Sequence, residues 1–174
     1  GNPVRKIISS VGIKEYSPFE NNRITLLIIG GSLGSRIFSH IIPEALDRFP
    51  LKIKNKLIIY HQARKEDLSK LNVFYKTVGI EAHINNYFYN IEKYYDQCDL
   101  VISRAGASTI SEIAAVSRPS ILIPFKNALD DHQTKNAEQL VKIEAAILFK
   151  EDSLSSEILF EKLDELIRSP NKLK

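Results

Sequence analysis

Two loops in this sequence combine small residues, polar side chains and charges that could hold a ligand. The first runs from Ser103 to Thr109 and closes on Glu112, and the second runs from Asp131 to Ala137. A small-residue turn at a helix start leaves backbone N–H groups free, and the helix dipole adds about half a positive charge there. The first loop can therefore hold phosphate, while the amide and imidazole groups of the second suit a neutral, hydroxyl-rich ligand. Together the two loops predict a site for a sugar nucleotide.

The first loop has a second interpretation that needs no ligand. Thr109 and Glu112 have the spacing of a capping box, in which Thr109 caps a helix and Glu112 reaches back to a backbone N–H. Against this, Gly106 leaves space in front of the helix, and Arg104 brings a permanent cation to the same place. A carboxylate there could accept hydrogen bonds from the hydroxyls of a ribose. We favour a ligand site, and the capping box stays open as the alternative.

A glycine-rich loop, Gly30-Gly31-Ser32-Leu33-Gly34-Ser35, follows an apolar run of strand length. It lacks the dinucleotide fingerprint, because Ser32 and Ser35 stand where that fingerprint needs glycine. Tyr60 and His61 close the next strand where an acidic ribose ligand would be expected, and no Walker A lysine follows the glycines. The loop therefore either approaches a phosphate or only permits a tight turn between strand and helix.

Other chemistries are poorly supported. The histidines are dispersed at positions 40, 61, 83 and 132, and none forms a His-x-x-x-His pair, so we expect no metal site beside His132, Asp130 and Asp131. No serine nucleophile motif is present. Asp131 is expected to be a plain helix N-cap. Gln133 and Asn136 share a helix face, where a solvated polar stripe is the alternative to contact with a sugar.

Strand-length apolar runs alternate with helix-period segments along the whole chain. Strands are predicted at Ile24–Ile29, Leu57–Tyr60, Glu81–Ile84, Leu100–Ser103, Ser120–Ile123 and Ala146–Phe149. Helices are predicted at Ser35–Phe49, Lys65–Val78, Ile91–Gln97, Thr109–Val116, Asp131–Ile143 and Ser155–Arg168. Strands joined by helices run parallel, so the pattern predicts an open, doubly wound, Rossmann-like parallel sheet. The candidate loops would then meet at the carboxyl ends of its strands.

Composition is that of an ordinary globular domain, with 174 residues, 44% hydrophobic and 26% charged. The single cysteine, Cys98, cannot form an internal disulfide, and no apolar run reaches the roughly 18 residues of a membrane helix, so we expect an intracellular protein. The net charge of +3 is scattered and does not indicate nucleic-acid binding. The sequence contains no methionine, so we expect a part of a longer protein, with initiator removal before Gly1 as the alternative.

Four motifs in order give the sequence a family resemblance. They are Gly1-Asn2-Pro3-Val4-Arg5, the loop from Gly30 to Ser35, the segment from Arg104 to Ala114, and the segment from Asp131 to Ala137. In this order and spacing they resemble the carboxyl-terminal, donor-binding half of the MurG family of bacterial peptidoglycan N-acetylglucosaminyltransferases. The resemblance covers essentially all of residues 1–174, with residues 1–20 as inter-domain linker and lead-in.

The resemblance implies one half of a GT-B glycosyltransferase. Such an enzyme transfers N-acetylglucosamine from UDP-N-acetylglucosamine to undecaprenyl-pyrophosphoryl-muramoyl-pentapeptide, with inversion at the anomeric carbon and without a cofactor or bound metal. The acceptor site and the catalytic base are expected in an amino-terminal domain that has no counterpart here, so no catalytic residue is assigned. The resemblance further implies a peripheral protein on the cytoplasmic side of the bacterial inner membrane, and no nucleic-acid partner.

The resemblance also implies roles for individual residues in donor binding. Ser32 would contact the diphosphate together with the start of the second helix, at Ala107, Ser108 and Thr109. The backbone of Phe88 would read the uracil edge, with Arg104 near that base, Arg5 at the domain junction and Glu112 on the ribose. The hexose hydroxyls would be contacted by His132, Gln133 and Asn136.

Two positions depart from the pattern of some family members, which carry glutamine where Leu33 and His132 stand here. Side-chain contacts at these two positions therefore stay open. Two other functions also remain open, namely half of a different UDP-sugar glycosyltransferase with a lipid-linked acceptor, and a non-catalytic UDP-sugar-binding module.

Overall fold

The computed structural model describes residues 3–13, 15–31, 34–128 and 131–173. These residues form one sheet of six strands, which are β1 (Ile24–Ile29), β2 (Leu57–Gln62), β3 (Glu81–Asn85), β4 (Leu100–Ser103), β5 (Ser120–Leu122) and β6 (Ala146–Leu148). The α-helices of the described residues are α1 (Lys6–Ser9), α2 (Arg36–Asp47), α3 (Leu51–Lys54), α4 (Leu68–Thr77), α5 (Ile91–Gln97), α6 (Ala107–Val116), α7 (His132–Val141) and α8 (Ser156–Arg168). None of these helices is long and apolar enough to cross a membrane.

All neighbouring strands run parallel, in the order β3-β2-β1-β4-β5-β6. The chain winds outward from β1 in one direction and then from β4 in the other. Leu26 of β1 therefore pairs with Ile59 on one side and Leu100 on the other. This confirms the predicted open, doubly wound sheet. Beyond the carboxyl ends of β1 and β4, where the direction changes, such sheets open a crevice.

The sheet is covered on both faces, so its central strand is apolar throughout. All six residues of β1 are buried, with Leu26 and Ile28 in the core beneath α2, α4 and α8. Leu27 and Ile29 point to the opposite face and pack in a second core beneath α1, α5, α6 and α7. A continuous run of branched residues is typical of a strand buried on both faces of a parallel sheet.

Several element boundaries differ from the prediction. β2 continues two residues past Tyr60, because His61 and Gln62 pair with β1 on one side and β3 on the other. α6 begins at Ala107, two residues before the predicted start at Thr109. The short helix α3 was not predicted, since a single turn has too few residues to show a helical period.

The segment expected to be a linker and lead-in packs against the domain. Ile8 and Val11 are buried in the second core, at 0% and 5% exposure. The backbone at Gly12 lies directly against the backbone of α6. A Cβ on Gly12 would lie only 2.1 Å from the carbonyl oxygen of Ala115. Residues 6–13 therefore share a core with the helix that carries the first candidate loop.

Candidate functional site

Two adjoining clefts lie at the carboxyl edge of the sheet. The larger cleft, of about 600 Å³, is lined by the glycine-rich loop, the start of α6 and the segments that follow β5 and β6. The smaller cleft, of about 170 Å³, lies between the glycine-rich loop, the β3–α5 loop and α6. Gly31 and Thr109 line both clefts, so the two spaces meet at these residues.

The structure brings most of the predicted site residues to these clefts. Arg104, Ser108, Thr109 and Gln133 line the larger cleft. Arg5, Phe88, Thr109 and Glu112 line the smaller one. Ala107 is exposed in the first turn of α6, while Ser32 and Leu33 lie outside the described residues. Residues far apart in the sequence therefore meet at one edge of the fold.

The start of α6 offers backbone donors that no side chain of the described residues caps. Gly106 is the N-cap residue and supplies no side-chain hydrogen bond, and a Cβ placed on it would meet no atom closer than 4.0 Å. The first three N–H groups of a helix lack intrahelical acceptors, and here they belong to residues 107–109. The capping-box alternative is wrong, because Thr109 is the third residue of the helix and Glu112 lies in its second turn.

Glu112 instead faces the smaller cleft. Its Oε2 accepts a hydrogen bond from the Tyr95 hydroxyl at 3.2 Å. Partial burial raises the pKa of the Glu112 carboxyl, while the Tyr95 hydroxyl and the positive charge of Arg5 act in the opposite direction. With Phe88 buried in the wall, this cleft combines an apolar surface, a carboxylate and an arginine.

The glycines of the glycine-rich loop differ in their surroundings, since some pack against backbone atoms and one does not. A Cβ on Gly30 would lie 2.5 Å from the Ser35 nitrogen, and one on Gly34 would lie 2.7 Å from the Arg64 nitrogen, so these two glycines permit close backbone packing. Gly31 also has a positive φ, of 87°, but among the described residues no atom beyond its chain neighbours lies within 4 Å of its Cβ position. Tight packing therefore explains Gly30 and Gly34, whereas Gly31 leaves open space where the two clefts meet.

Arg104 lies at the base of the larger cleft and connects several loops by hydrogen bonds. It is 9% exposed, and its guanidinium donates hydrogen bonds to Ser35 Oγ at 3.0 Å, to Glu151 Oε2 at 2.6 Å, and to the carbonyl oxygens of Ile123 and Pro124 at 3.1 Å each. Arg104 and Phe88 line different clefts, so the expected place of Arg104 near the base stays a prediction. Its charge is compensated within the protein by Glu151, 47 residues later in the chain.

The polar residues of α7 hold the β4–α6 loop. Gln133 Oε1 accepts hydrogen bonds from the N–H groups of Ala105, at 3.2 Å, and Phe125, at 3.0 Å. Asn136 Nδ2 donates to the Ala105 carbonyl oxygen at 3.1 Å. The solvated polar stripe is therefore wrong, because both amides contact the loop that carries Arg104 and Gly106. A contact of either amide with a sugar stays a prediction.

The beginning of α7 partly follows the sequence interpretation. Asp131 occupies the N-cap position, as predicted, but with a φ of 52° and no side-chain hydrogen bond to the helix backbone. Its Oδ1 accepts from the Thr134 hydroxyl at 2.6 Å instead. His132 is exposed in the first turn, and Asp130 lies outside the described residues. The described residues contain no cluster of three or more metal-ligating side chains.

Sequence reasoning missed four polar residues that line the clefts. Gln62 lines the smaller cleft, and its Nε2 donates to the Asn86 carbonyl oxygen at 3.4 Å, two residues before Phe88. Arg36, Arg64 and Glu151 line the larger cleft. Gln62 and Arg64 follow the predicted second strand, so their position at a carboxyl edge was the available signal.

The sheet order and the clefts at its carboxyl edge define a Rossmann-like domain with a ligand crevice. Residues 25–174 match the family model described as the glycosyltransferase family 28 C-terminal domain, so the chain belongs to this family.

Curated relatives carry one common name, UDP-N-acetylglucosamine--N-acetylmuramyl-(pentapeptide) pyrophosphoryl-undecaprenol N-acetylglucosamine transferase. The relative from Paramagnetospirillum magneticum is 38% identical over 179 residues, covering 99% of this chain and 47% of the relative. The relative from Zymomonas mobilis is 38% identical over 175 residues, covering 100% of this chain and 45% of the relative. The chain thus spans about half the length of the curated relatives it matches.

Solved structures show the same fold. The crystal structure of MurG from Acinetobacter baumannii matches with a TM-score of 0.76 and 27% identity, covering 95% of this chain and 46% of that one. The solution structure of ALG13 matches with a TM-score of 0.54 and 16% identity, covering 87% of this chain and 88% of that one. The second likeness shows the fold alone.

Proposed function

We propose that this chain is the donor-binding half of an inverting glycosyltransferase. The complete enzyme would transfer N-acetylglucosamine from UDP-N-acetylglucosamine to undecaprenyl-pyrophosphoryl-muramoyl-pentapeptide, the reaction that makes lipid II. The names of the curated relatives support this choice of donor and acceptor. Because the acceptor is a membrane lipid, we also propose a peripheral location at the cytoplasmic side of the inner membrane.

One observation carries the proposal, namely two clefts that meet at Gly31 and Thr109. Uridine would occupy the smaller cleft, with its base at the Phe88 backbone and its ribose hydroxyls donating to Glu112. The diphosphate would lie at the junction, against the free N–H groups of residues 107–109 and the open face of Gly31. The hexose would extend into the larger cleft towards Gln133. Ser32, Asn136 and His132 remain proposed contacts from the family resemblance.

The proposed chemistry of this half is the stabilisation of a leaving group. When the acceptor hydroxyl attacks the anomeric carbon in line, negative charge develops on the departing UDP. Preorganised N–H donors at the start of α6 lower the energy of that charge without needing to reorient. The attacking hydroxyl and its base must be held on the opposite side of the hexose, and we assign that task to a second domain.

Calorimetric titration of the chain tests this proposal. UDP-N-acetylglucosamine should bind more tightly than UDP-glucose, and NAD should not compete. The same chain should transfer no sugar to the lipid acceptor until an amino-terminal domain is supplied. A preference for UDP-glucose would favour a different UDP-sugar transferase, and absence of UDP binding would overturn the proposal. Robust lipid II synthesis by this chain alone would contradict the assignment of the base to another domain.

A further inference from the structure

Three arginines line the larger cleft, but only two of them have charge available for a ligand. Arg104 is buried, and its guanidinium group already donates hydrogen bonds to Glu151, Ser35 and two backbone carbonyl oxygens. Arg36 is exposed, and within the described ranges no carboxylate forms an ion pair with it. Arg64 is half-buried, and its Nε pairs with Glu66 at 2.7 Å, while its other two guanidinium nitrogens form no ion pair with any carboxylate in the described ranges.

The position of Arg36 is unfavourable for the helix that carries it. It is the first residue of α2, and the first turn of that helix contains no acidic residue. A cation at a helix N-terminus is repelled by the positive end of the helix dipole. The N-cap residue Ser35 does not relieve this, because it makes no capping bond and accepts a hydrogen bond from Arg104. A local conflict of this kind is expected where function has selected the residue.

Arg64 is held beside the same turn. Its backbone N and its Cγ lie 2.7 Å and 3.1 Å from the Cβ position of Gly34, so its side chain starts directly over the glycine-rich loop. A backbone hydrogen bond of Glu66 lowers the pKa of the Glu66 carboxyl, and the charges of Arg64 and Arg36 lower it further. The two arginines are therefore close enough to act on one carboxylate, which compensates only part of their combined charge.

We propose that Arg36 and Arg64 form a diphosphate-binding subsite on the glycine-rich side of the larger cleft. A hexose is neutral and gives no reason for two arginines that share a single carboxylate, whereas a diphosphate carries the charge and the oxygen acceptors that match two guanidinium groups. The subsite faces the start of α6 across the cleft, so its cations supplement the neutral N–H donors of that helix. Arg104 shapes the floor between them and does not itself supply the free charge.

The proposal rests on the proposed function for the source of the ligand, and two sources share this chemistry. One is the diphosphate of the nucleotide donor, and the other is the diphosphate of the lipid-linked acceptor. UDP tests the first source. Geranyl diphosphate, which carries a prenyl diphosphate but no nucleoside, tests the second.

The experiment is calorimetric titration of the whole chain and five variants. Arg36→Gln and Arg64→Gln remove one charge each, their combination removes both, and Arg64→Lys keeps the charge without the planar fork. Lys70→Gln is the matched control, because Lys70 is an exposed cation on α4 outside the cleft lining. Arg36→Gln and Arg64→Gln should each weaken the affinity for the diphosphate ligand about three- to tenfold, and the double variant should weaken it more. Lys70→Gln should stay within about twofold, and Arg64→Lys should lose less than Arg64→Gln. Thermal unfolding of every variant checks that the fold is retained.

The outcomes separate the sources and the two proposals. Loss of affinity for UDP, with uridine binding unchanged, assigns the subsite to the donor. Loss for geranyl diphosphate alone assigns it to the lipid-linked substrate. Unchanged affinity of the folded double variant for both ligands overturns the subsite, even if UDP-N-acetylglucosamine binds and the proposed function stands. If the wild type fails to bind UDP-N-acetylglucosamine but binds geranyl diphosphate through these arginines, the subsite stands and the proposed function fails.

Discussion

At the scale of single residues, Glu112 and Gln133 each have one polar atom engaged by the protein and another for which the described residues show no hydrogen bond. Glu112 uses Oε2 to accept from Tyr95, and Gln133 uses Oε1 to accept two backbone N–H groups. Their second atoms, Oε1 of Glu112 and Nε2 of Gln133, are the ones proposed to contact the ligand. Substitutions that separate the two atoms can therefore separate structural from binding roles.

Replacing Glu112 with alanine should weaken UDP binding about tenfold or more, because hydrogen bonds to a charged group are typically worth about 1.5 to 3 kcal/mol. Since Glu112 is not part of a cap, any loss of stability should come from the buried Tyr95 hydroxyl that loses its acceptor. Tyr95→Phe is the control, and it should leave UDP affinity nearly unchanged. Unchanged UDP affinity in Glu112→Ala, measured by calorimetry, would contradict the ribose assignment.

Acidification should weaken UDP binding through the same residue. Burial raises the pKa of Glu112, so the carboxylate is protonated at a higher pH than an exposed glutamate. A protonated carboxyl accepts fewer hydrogen bonds from a ribose, and UDP affinity should fall as the pH falls towards that pKa. Affinity measured across pH should lose this dependence in Glu112→Gln. The same pH dependence in that variant would assign the titration to another group.

The proposed contact of Gln133 with the sugar can be tested with two substitutions. One keeps the oxygen acceptor at Oε1, and the other removes it. Gln133→Glu keeps an oxygen acceptor for the N–H groups of Ala105 and Phe125 but loses the Nε2 donor. Its new carboxylate repels the diphosphate that both ligands share, so it should weaken both, but UDP-N-acetylglucosamine by about 1 to 3 kcal/mol more than UDP. Gln133→Ala also releases the β4–α6 loop, so it should weaken both ligands in competition titrations. Equal losses for both ligands in Gln133→Glu would mean that the residue supports only the loop.

At the scale of elements, the turn between β1 and α2 combines a packing requirement with a binding surface. Gly34 lies against the backbone at Arg64, while Gly31 faces open space, although both have a positive φ. A methyl group added at Gly34 would contact backbone atoms, and one added at Gly31 would not. The two substitutions should therefore lower the free energy of unfolding by different amounts.

Gly34→Ala should lower the free energy of unfolding by more than about 2 kcal/mol, because a left-handed conformation is strained and the added Cβ meets backbone atoms. Gly31→Ala should cost only the strain of its backbone, about 1 to 2 kcal/mol. Its methyl group would occupy the junction of the clefts, so UDP affinity should fall in a folded protein. Chemical denaturation and calorimetry measure the two effects. Equal destabilisation by both substitutions would contradict the difference in packing.

Regular elements were predictable from the sequence, and contacts between distant residues were not. All six strands were predicted. The strands β1, β4 and β5 are buried throughout and were visible as continuous apolar runs, whereas the edge strand β3 alternates exposed and half-buried residues. The start of α6 was placed at Thr109 because a capping pattern was visible there, whereas Gly106 begins the helix without a side-chain cap. The pairing of Arg104 with Glu151 joins loops after two non-adjacent strands, and no local pattern specifies it.

At the scale of the whole molecule, a buried histidine couples stability to pH. His61 is fully buried, its Nδ1 lies 3.1 Å from the Tyr75 hydroxyl, and its Nε2 has no partner among the described residues. Burial lowers the pKa of His61 from 6.5 to about 3. Between these values the unfolded chain binds a proton that the folded chain does not, so His61 reduces stability as the pH falls below 6.5.

From pH 7 to pH 5, His61 should lower the free energy of unfolding by about 2 kcal/mol. The raised pKa values of Asp99 and Glu112 contribute in the opposite direction, so the test is the difference between wild type and His61→Gln. Denaturation at both pH values measures it, with the exposed His83→Gln as control. NMR of the His61 ring in the wild type should show it neutral at pH 5. A protonated ring at that pH would contradict the prediction whether or not the variant folds.

The hydrogen bonds of Arg104 also constrain the kinetics of folding. They join residues separated by 69 positions at Ser35 and by 47 at Glu151, so they form only after strands from both halves of the sheet have assembled. Contacts made late in folding are largely absent from the transition state. A nucleotide that needs this completed edge should therefore slow the unfolding rate and leave the refolding rate nearly unchanged. In stopped-flow experiments, UDP should therefore prolong the lifetime of the folded domain without accelerating its formation.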